Sequence, residues 1–443
     1  MVGGSKKKMG SNIHIKEILT GSAVTFALKM FGMLLGYIVV LIISREYGAE
    51  GVGQYNIVLT IMSFAALVAA MGVDTSILRY IGEFNKDGDR YKLKILFRYS
   101  VELAFPVSLI LSMGIYFFSA YISDGLFGNP SYNKALEFAA FIVPFMVVSN
   151  ICVEYIRGFN LISTSEFLRS VNRPVINVIL LLALGGYLTD TLLPLYTLGV
   201  AIVVSSLVAT LCVMKITSTL DSDRKSNFSR KELLKTSSPM MVSRVASFLM
   251  VAVPLFLLEV FSNTSDVGVF SIVVKLSILV SLILLVVNTI TGPRFAELYW
   301  SNKHHELQSF MSTSAKIIFI ASFVLVFVIA VFADQLLSLF GEEFIAGKYA
   351  LYILLLGEMI NAITGPVGIF MNMTGNQVRL KLVSLLSLLV TVILSFILIP
   401  SLGINGAAIS LFVGVSMKFI YLAIFVNYKL KFKTFYLPFV LKG

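Results

Sequence analysis

Apolar residues run along this chain in long stretches that are separated by short polar segments. A helix needs about 20 apolar residues to cross the hydrocarbon core of a membrane. The continuous Leu, Val, Ile and Phe runs lack the alternation of a membrane β-barrel. The sequence therefore predicts an all-helical integral membrane protein with twelve spans, over residues 17–43, 54–77, 97–121, 135–156, 167–187, 192–214, 238–260, 267–291, 313–333, 348–370, 380–399 and 404–427.

Composition agrees with this pattern. Of the 443 residues, 57% are hydrophobic and 13% are charged, whereas about a quarter of the residues in a soluble globular domain are charged. The net charge of +11 comes from cations dispersed over short loops. Cations in that position favour contact with anionic lipid, and no nucleic-acid partner is expected.

The distribution of those cations predicts the orientation of the chain. Of the 35 Lys and Arg residues, only Arg45, Lys134 and Lys348 fall in loops on one side, and four lie within spans. The others collect on the opposite side, which the positive-inside rule makes cytoplasmic. We therefore expect both termini to be cytoplasmic.

The sequence repeats itself at an offset of 215 residues. Residues 16–19 (KEIL) match 231–234 (KELL), and residues 52–55 (VGQY) match 267–270 (VGVF). An even number of spans separates the copies, so they have the same orientation, which is a parallel repeat of the kind found in transporters. The repeat predicts two six-helix lobes, an N-terminal lobe over residues 1–220 and a C-terminal lobe over 221–443.

Four cations lie deep within predicted spans: Lys29, Arg244, Lys275 and Lys418. A charge near the centre of a spanning helix costs about 2.5 to 3.5 kcal/mol on insertion scales. The repeat offset pairs Lys29 with Arg244, and Glu358 is the acidic residue closest to the middle of a span. An excess of buried cations favours an anionic ligand, which we expect to carry phosphate. Static ion pairs or snorkelling are the alternative.

Small and polar residues share one face of the first span, at spacings of three and four: Ser22, Thr25, Lys29, Gly32 and Gly36. The GxxxG pair is also typical of close helix packing. This face is therefore either the wall of a cavity or a tight helix seam, and both can hold at different heights.

Enzymatic chemistry has no candidate in the sequence. A GxxxxGK[ST] phosphate-binding loop is absent, and the three histidines, His14, His304 and His305, fall in cytoplasmic loops. No cofactor or metal site is predicted, although coupling to H⁺ or Na⁺ is possible at Glu358 and Asn361, one turn apart. A membrane glycan polymerase or transferase would need catalytic groups on a large outer loop, and the outer loops here are short.

Several segments resemble a known family. Residues 43–55 read ISREYGAEGVGQY and are similar to the first outer loop of bacterial polysaccharide flippases of the Wzx type. Similar segments of that family recur here as DVGVF at 266–270, LFGEEF at 339–344 and LGINGAA at 402–408. The resemblance covers nearly the whole chain, although each motif alone is loose.

The resemblance implies membership of the multidrug, oligosaccharidyl-lipid and polysaccharide exporter superfamily. It implies two six-helix bundles that form a V around a central cleft, with the first two helices of each half along it. The implied cargo is an undecaprenyl-diphosphate-linked oligosaccharide, moved to the outer leaflet of the bacterial inner membrane for O-antigen or capsule synthesis. A monomer, with a glycan polymerase and a chain-length regulator as possible partners, is expected.

These inferences combine into one hypothesis of alternating access. Arg79, Arg294 and Asp74 would capture the diphosphate at the cytoplasmic side, and the four deep cations would carry it across the midplane. Arg79 and Arg294 could instead be cytoplasmic anchors. A drug or metabolite exporter of the same superfamily, coupled to a cation, is the alternative, and its cavity should be acidic.

Overall fold

Most of the chain is helical in the part that the structure describes. The computed structural model describes the backbone of residues 4–86, 90–185, 190–218 and 228–436, and side chains from residue 24 onward except at positions 85, 86, 243, 289, 290 and 293. These ranges contain no strand, which confirms the predicted all-helical class. Ser22 and the predicted lobe boundary at 220 lie outside the described side chains and backbone.

The α-helices of the described ranges follow one another through short loops. They are α1 Gly4–Ala69, α2 Val73–Lys86, α3 Arg90–Ala120, α4 Tyr132–Gly158, α5 Ile162–Glu166, α6 Arg173–Leu184, α7 Leu193–Ser218, α8 Arg230–Phe261, α9 Thr264–Trp300, α10 His304–Val331, α11 Ala333–Ser338, α12 Lys348–Thr364, α13 Val367–Met373 and α14 Gln377–Phe425. π-Helical turns over Tyr121–Leu126, Phe167–Asn172 and Val426–Leu430, and a 3₁₀ turn over Glu342–Gly347, extend them.

Most of these helices are long and apolar enough to cross a membrane. Nine helices of the described part meet that condition, and a bent pair, Glu342–Thr364 with Val367–Met373, makes a tenth. Two of the nine, Val24–Ala69 with 46 residues and Gln377–Leu430 with 54, have more than twice the length that one span needs. The count of twelve spans treats each as two spans, and it stays a prediction.

Each of these two long helices is interrupted at a glycine. Gly48 in α1 has φ 64° and ψ −167°, and Gly403 in α14 has φ 51° and ψ −126°. Side chains with a Cβ adopt such conformations only at a cost of about 1 to 3 kcal/mol. Glycine therefore lets the chain change direction here with no intervening loop.

The chain divides into two compact units. One comprises Met1–Ile42 and Val58–Val242, and the other Ile43–Ile57 and Ser243–Gly443. In the first unit α4 packs against α2, α3 and α7; in the second, α12 packs against α9, α10 and α14. The segment 43–57 of α1 belongs to the second unit. The predicted lobes 1–220 and 221–443, and the V, stay predictions.

Candidate functional site

The two copies of the sequence repeat meet at a close contact of α1 with α9. A Cβ on Gly53 would lie 2.0 Å from the Thr264 carbonyl oxygen, and a Cβ on Gly268 would lie 1.9 Å from the Ala49 carbonyl oxygen. The offset of 215 converts Ala49 to Thr264 and Gly53 to Gly268. The contact is therefore reciprocal, as a two-fold relation between the copies requires.

This contact positions a deep lysine beside an amide. Lys275 lies two turns after Gly268 on α9, and its Nζ donates to Oδ1 of Asn56 at 3.4 Å. The amide Nδ2 of Asn56 donates to the Val52 carbonyl at 2.8 Å, which turns Oδ1 toward the lysine. An amide oxygen carries no net charge, so this hydrogen bond does not itself neutralise the ammonium group.

A second cluster of polar side chains in the second unit lies around Glu358 on α12. The Ser281 hydroxyl of α9 donates to Glu358 Oε2 at 2.6 Å. Glu358 also lines a cavity of about 110 Å³ together with Ser277 and Gly357. Asn361, one turn further, is buried, and its Oδ1 makes no hydrogen bond to any described residue. Carboxylate, hydroxyl and amide oxygens are the groups that bind H⁺ or a hard cation.

The other predicted cations differ in exposure. Lys418 on α14 is half-buried, and its Nζ lies 5.5 Å from the centre of the Phe419 ring. Lys29 on α1 is half-buried and Arg244 on α8 is exposed. Lys29 belongs to the first unit, whereas Arg244, Lys275 and Lys418 belong to the second. Their convergence on one anion path stays a prediction.

The predicted cytoplasmic capture residues lie at helix ends and surfaces. Arg79 on α2 and Arg294 on α9 are exposed, and Arg294 pairs with Glu297 at 2.7 Å. Asp74 is buried in the first turn of α2, where its Oδ1 accepts from the Thr75 N–H at 2.9 Å. A carboxylate there stabilises the helix N-terminus. Asp74 therefore has a local structural role as well as its predicted one.

The GxxxG pair of the first span has two environments. A Cβ on Gly32 would lie 2.2 Å from the Ser170 carbonyl oxygen, whereas a Cβ on Gly36 would meet no atom within 4 Å. Gly32 therefore forms a tight seam, and Gly36 faces open space. The helix seam is therefore observed at Gly32, and the cavity wall stays a prediction.

Residues 43–57 also make hydrogen bonds that the sequence did not predict. Arg45 Nε donates to the Leu339 carbonyl at 2.7 Å, and the Ala49 N–H donates to Glu343 Oε1 at 2.5 Å. These contacts join the two family-like segments, 43–55 and 339–344. Arg45 and Glu343 were each visible as charges in short loops, but their partners are backbone groups, which leave no pattern in a sequence.

Comparisons with known proteins agree with this architecture. A family model described as "Polysaccharide biosynthesis protein" matches residues 18–299, and a MatE model matches residues 239–397. The chain is 23% identical over 429 residues to the probable low-salt glycan biosynthesis flippase Agl15 of Haloferax volcanii, covering 94% of this chain and 86% of that one.

Solved structures show the same fold. The lipid II flippase MurJ in an inward closed conformation matches with a TM-score of 0.75 at 15% identity, over 92% of this chain and 87% of that one. An inward-facing multidrug resistance MATE family transporter of the MOP superfamily matches with a TM-score of 0.73 at 17% identity, over 93% and 98% of the two chains.

The family model covers well over half of the chain, and the helices that it spans are those that bring Asn56 and Lys275 together. The related proteins named above are flippases and transporters, which agrees with the expectation that the chain is not an enzyme. The chain therefore belongs to the polysaccharide biosynthesis protein family, and it is a multi-pass membrane protein.

Proposed function

We propose that the protein is a flippase that moves an undecaprenyl-diphosphate-linked oligosaccharide from the cytoplasmic to the outer leaflet of a bacterial inner membrane. The observation that carries the proposal is Lys275, a cation within a span that is hydrogen-bonded to the neutral amide of Asn56. A cation in that setting attracts a diphosphate more strongly than it would in water. O-antigen or capsule units are the cargo that we propose.

The deep cations divide the path into steps. Arg79 and Arg294 capture the diphosphate at the cytoplasmic side, and the deep cations, Lys29, Arg244, Lys275 and Lys418, accept it in turn. An inside-negative potential favours outward movement of an anion by about 2.3 kcal/mol per charge per 100 mV. The potential alone therefore favours transfer, and binding of H⁺ or Na⁺ at Glu358 and Asn361 adds a second source of energy.

The surroundings of the transporter follow from the same proposal. Both termini lie in the cytoplasm, the chain works as a monomer, and a glycan polymerase and a chain-length regulator receive its product at the outer leaflet. The cations recognise the lipid-linked diphosphate, which every cargo of this kind shares.

Lys275→Gln tests the anion path. Loss of a charge-assisted hydrogen bond to the diphosphate costs about 1.5 to 3 kcal/mol, so transfer should slow by roughly tenfold or more. The measurement is the translocation of a fluorescent undecaprenyl-diphosphate oligosaccharide in proteoliposomes. Lys316→Gln, on the exposed surface of α10, is the matched control and should transfer as the parent does.

The second candidate function, export of an organic cation, is favoured by the MatE match over residues 239–397. The same vesicles decide between the two. Uptake of a cationic dye by the parent protein, with no transfer of the lipid-linked glycan, would establish the exporter and overturn the flippase. Equal transfer by the parent and Lys275→Gln would remove Lys275 from the path.

A further inference from the structure

A long apolar groove lies on the first unit. Residues of α3 and α7 form its walls, and α4, which packs against both, forms its floor. Its volume is about 690 Å³, within the range of about 300 to 1,000 Å³ that ligand sites have. Five of its fourteen lining residues are aromatic, including Phe105, Tyr116 and Phe141. The lining of the groove therefore suits a hydrocarbon chain, and it contains none of the deep cations.

The groove continues into a charged cluster along one face of α3. Residues at spacings of four and three lie on the same side of a helix. The groove residues of α3 continue that spacing without interruption from two charged residues nearer its N-terminus. The stripe consists of Arg98, Glu102, Phe105, Leu109, Ser112 and Tyr116.

The charged cluster at the end of this stripe has an excess of cations. Glu102 accepts from Arg98 Nε at 2.6 Å and from Arg230 Nη2 at 2.5 Å. The guanidinium of Arg230 also lies 4.9 Å from the centre of the Tyr99 ring. Two guanidinium groups thus share one carboxylate, and the side chains of Arg98 and Arg230 remain 73% and 55% exposed. Each guanidinium has five N–H donors, so donors remain for a phosphate.

We propose that this groove and cluster bind a polyprenyl diphosphate, with the diphosphate on Arg98 and Arg230 and the chain along the groove. The charge of the cluster complements a diphosphate, and the groove has room along one helix for one chain. From Phe105 to Phe117 the groove runs about 18 Å at 1.5 Å per residue, longer than the 15 Å or so of one leaflet. A single long chain fits this shape better than the paired, shorter chains of a phospholipid.

This site rests on the proposed function and deepens it. It places the lipid part of the cargo on the first unit before the diphosphate enters the path of the deep cations. The lipid tail is then held by the protein as well as by the bilayer. A substrate with a short chain should bind the cations but gain little from the groove.

The experiment compares two pairs of substitutions that differ in whether they fill the groove. Met113 and Leu207 line it from α3 and α7, whereas Ile110 and Leu211 lie on the same two helices outside its lining. All four side chains are similarly exposed, at 59%, 56%, 67% and 64%. Met113→Trp/Leu207→Trp therefore fills the groove, and Ile110→Trp/Leu211→Trp is the matched control.

The measurement is binding of undecaprenyl diphosphate, without sugar, to the purified full chain by native mass spectrometry. The affinity of Met113→Trp/Leu207→Trp for undecaprenyl diphosphate should fall about tenfold, because excluding even two CH₂ groups of the lipid from apolar contact has that effect. The control should bind within about twofold of the parent. Arg98→Gln/Arg230→Gln should lower affinity for undecaprenyl diphosphate more than for undecaprenol.

Three outcomes overturn the site. The first is unchanged affinity of Met113→Trp/Leu207→Trp for undecaprenyl diphosphate, and the second is an equal loss of affinity in Ile110→Trp/Leu211→Trp. The third is displacement of undecaprenyl diphosphate by an equal concentration of phosphatidylglycerol, which would make the groove a general site for anionic phospholipid. Translocation by the parent protein is measured separately. If the parent protein transfers glycan while Met113→Trp/Leu207→Trp binds undecaprenyl diphosphate normally, the groove proposal fails and the flippase stands. If the parent binds undecaprenyl diphosphate and the variant loses that binding, but the parent transfers no glycan, the groove stands and the flippase proposal fails.

Discussion

Single polar side chains hydrogen-bond to the charged groups that lie within the spans of this protein. Glu358 accepts a hydrogen bond from Ser281 and borders a cavity of about 110 Å³, large enough for a few water molecules or an ion. Lys275 is oriented by Asn56 in the same unit. Neutral hydrogen-bonding partners of this kind orient a charged group without adding an opposite charge beside it.

Glu358→Gln tests whether Glu358 couples transfer to an ion. The amide keeps the size of the side chain but binds neither H⁺ nor Na⁺ as a carboxylate does. We expect an imposed pH or Na⁺ gradient to accelerate translocation in proteoliposomes of the parent protein, and that acceleration to disappear in the variant, leaving the rate driven by potential. Glu306→Gln, at an exposed position of α10, is the control. Acceleration that persists in Glu358→Gln would rule out this carboxylate as the coupling group.

The sequence predicted the charged residues within spans but not their hydrogen-bonding partners. The depth of Lys275 and Glu358 could be read from hydropathy, because a charge in an apolar stretch is conspicuous. The partners Asn56 and Ser281 could not, because they lie 219 and 77 residues away from the charges that they contact. One sequence carries no signal for such pairs.

At the scale of helices, glycine determines how closely the repeated elements approach. Gly53 and Gly268 rest on backbone carbonyl groups of the other copy, and this approach brings Lys275 within reach of Asn56. The sequence repeat predicted that these segments correspond. It did not predict that they touch, since a repeat fixes the similarity of two copies and not their contact.

Gly53→Ala and Gly268→Ala test this contact. Each added methyl group would lie about 2 Å from a carbonyl oxygen, and overpacking of this kind costs about 1 to 3 kcal/mol. Both variants should unfold at lower temperature in detergent than the parent protein. Gly114→Ala on α3 meets no atom within 4 Å and should be neutral or slightly stabilising. Equal behaviour of all three would show that the close approach contributes nothing to stability.

At the scale of the whole molecule, the hydropathy pattern predicted the all-helical class, and each window overlaps one or two of the helices described. Helix boundaries were less predictable: window 17–43 and most of window 54–77 fall in one helix, α1, which is interrupted at Gly48, and the second window runs past the end of α1 at Ala69 into α2. The polar segment between these windows, residues 44–53, is helical on both sides of Gly48, and hydropathy alone does not distinguish such a bend from a loop. The membrane orientation, by contrast, rests on the charges of the loops alone and stays a prediction.

Cysteine labelling tests that orientation. Ser131, before α4, should face the outside, and Ser301, after α9, should face the cytoplasm; both are exposed. In intact cells a membrane-impermeant maleimide should label Ser131→Cys and not Ser301→Cys, with the reverse in inside-out vesicles. The parent protein, with Cys152 and Cys212 in its helices, supplies the background. The opposite pattern of labelling would invert the predicted topology.

The reciprocal contact at Gly53 and Gly268 also constrains how the two halves can evolve. After a duplication, each copy is free to drift wherever its residues touch only its own half. Here a side chain acquired by either copy collides with the backbone of its sibling, so a change in one half has to be accommodated by the other. We therefore expect the two copies to diverge at positions away from this contact, as Lys29 and Arg244 do, and not at Gly53 and Gly268 themselves.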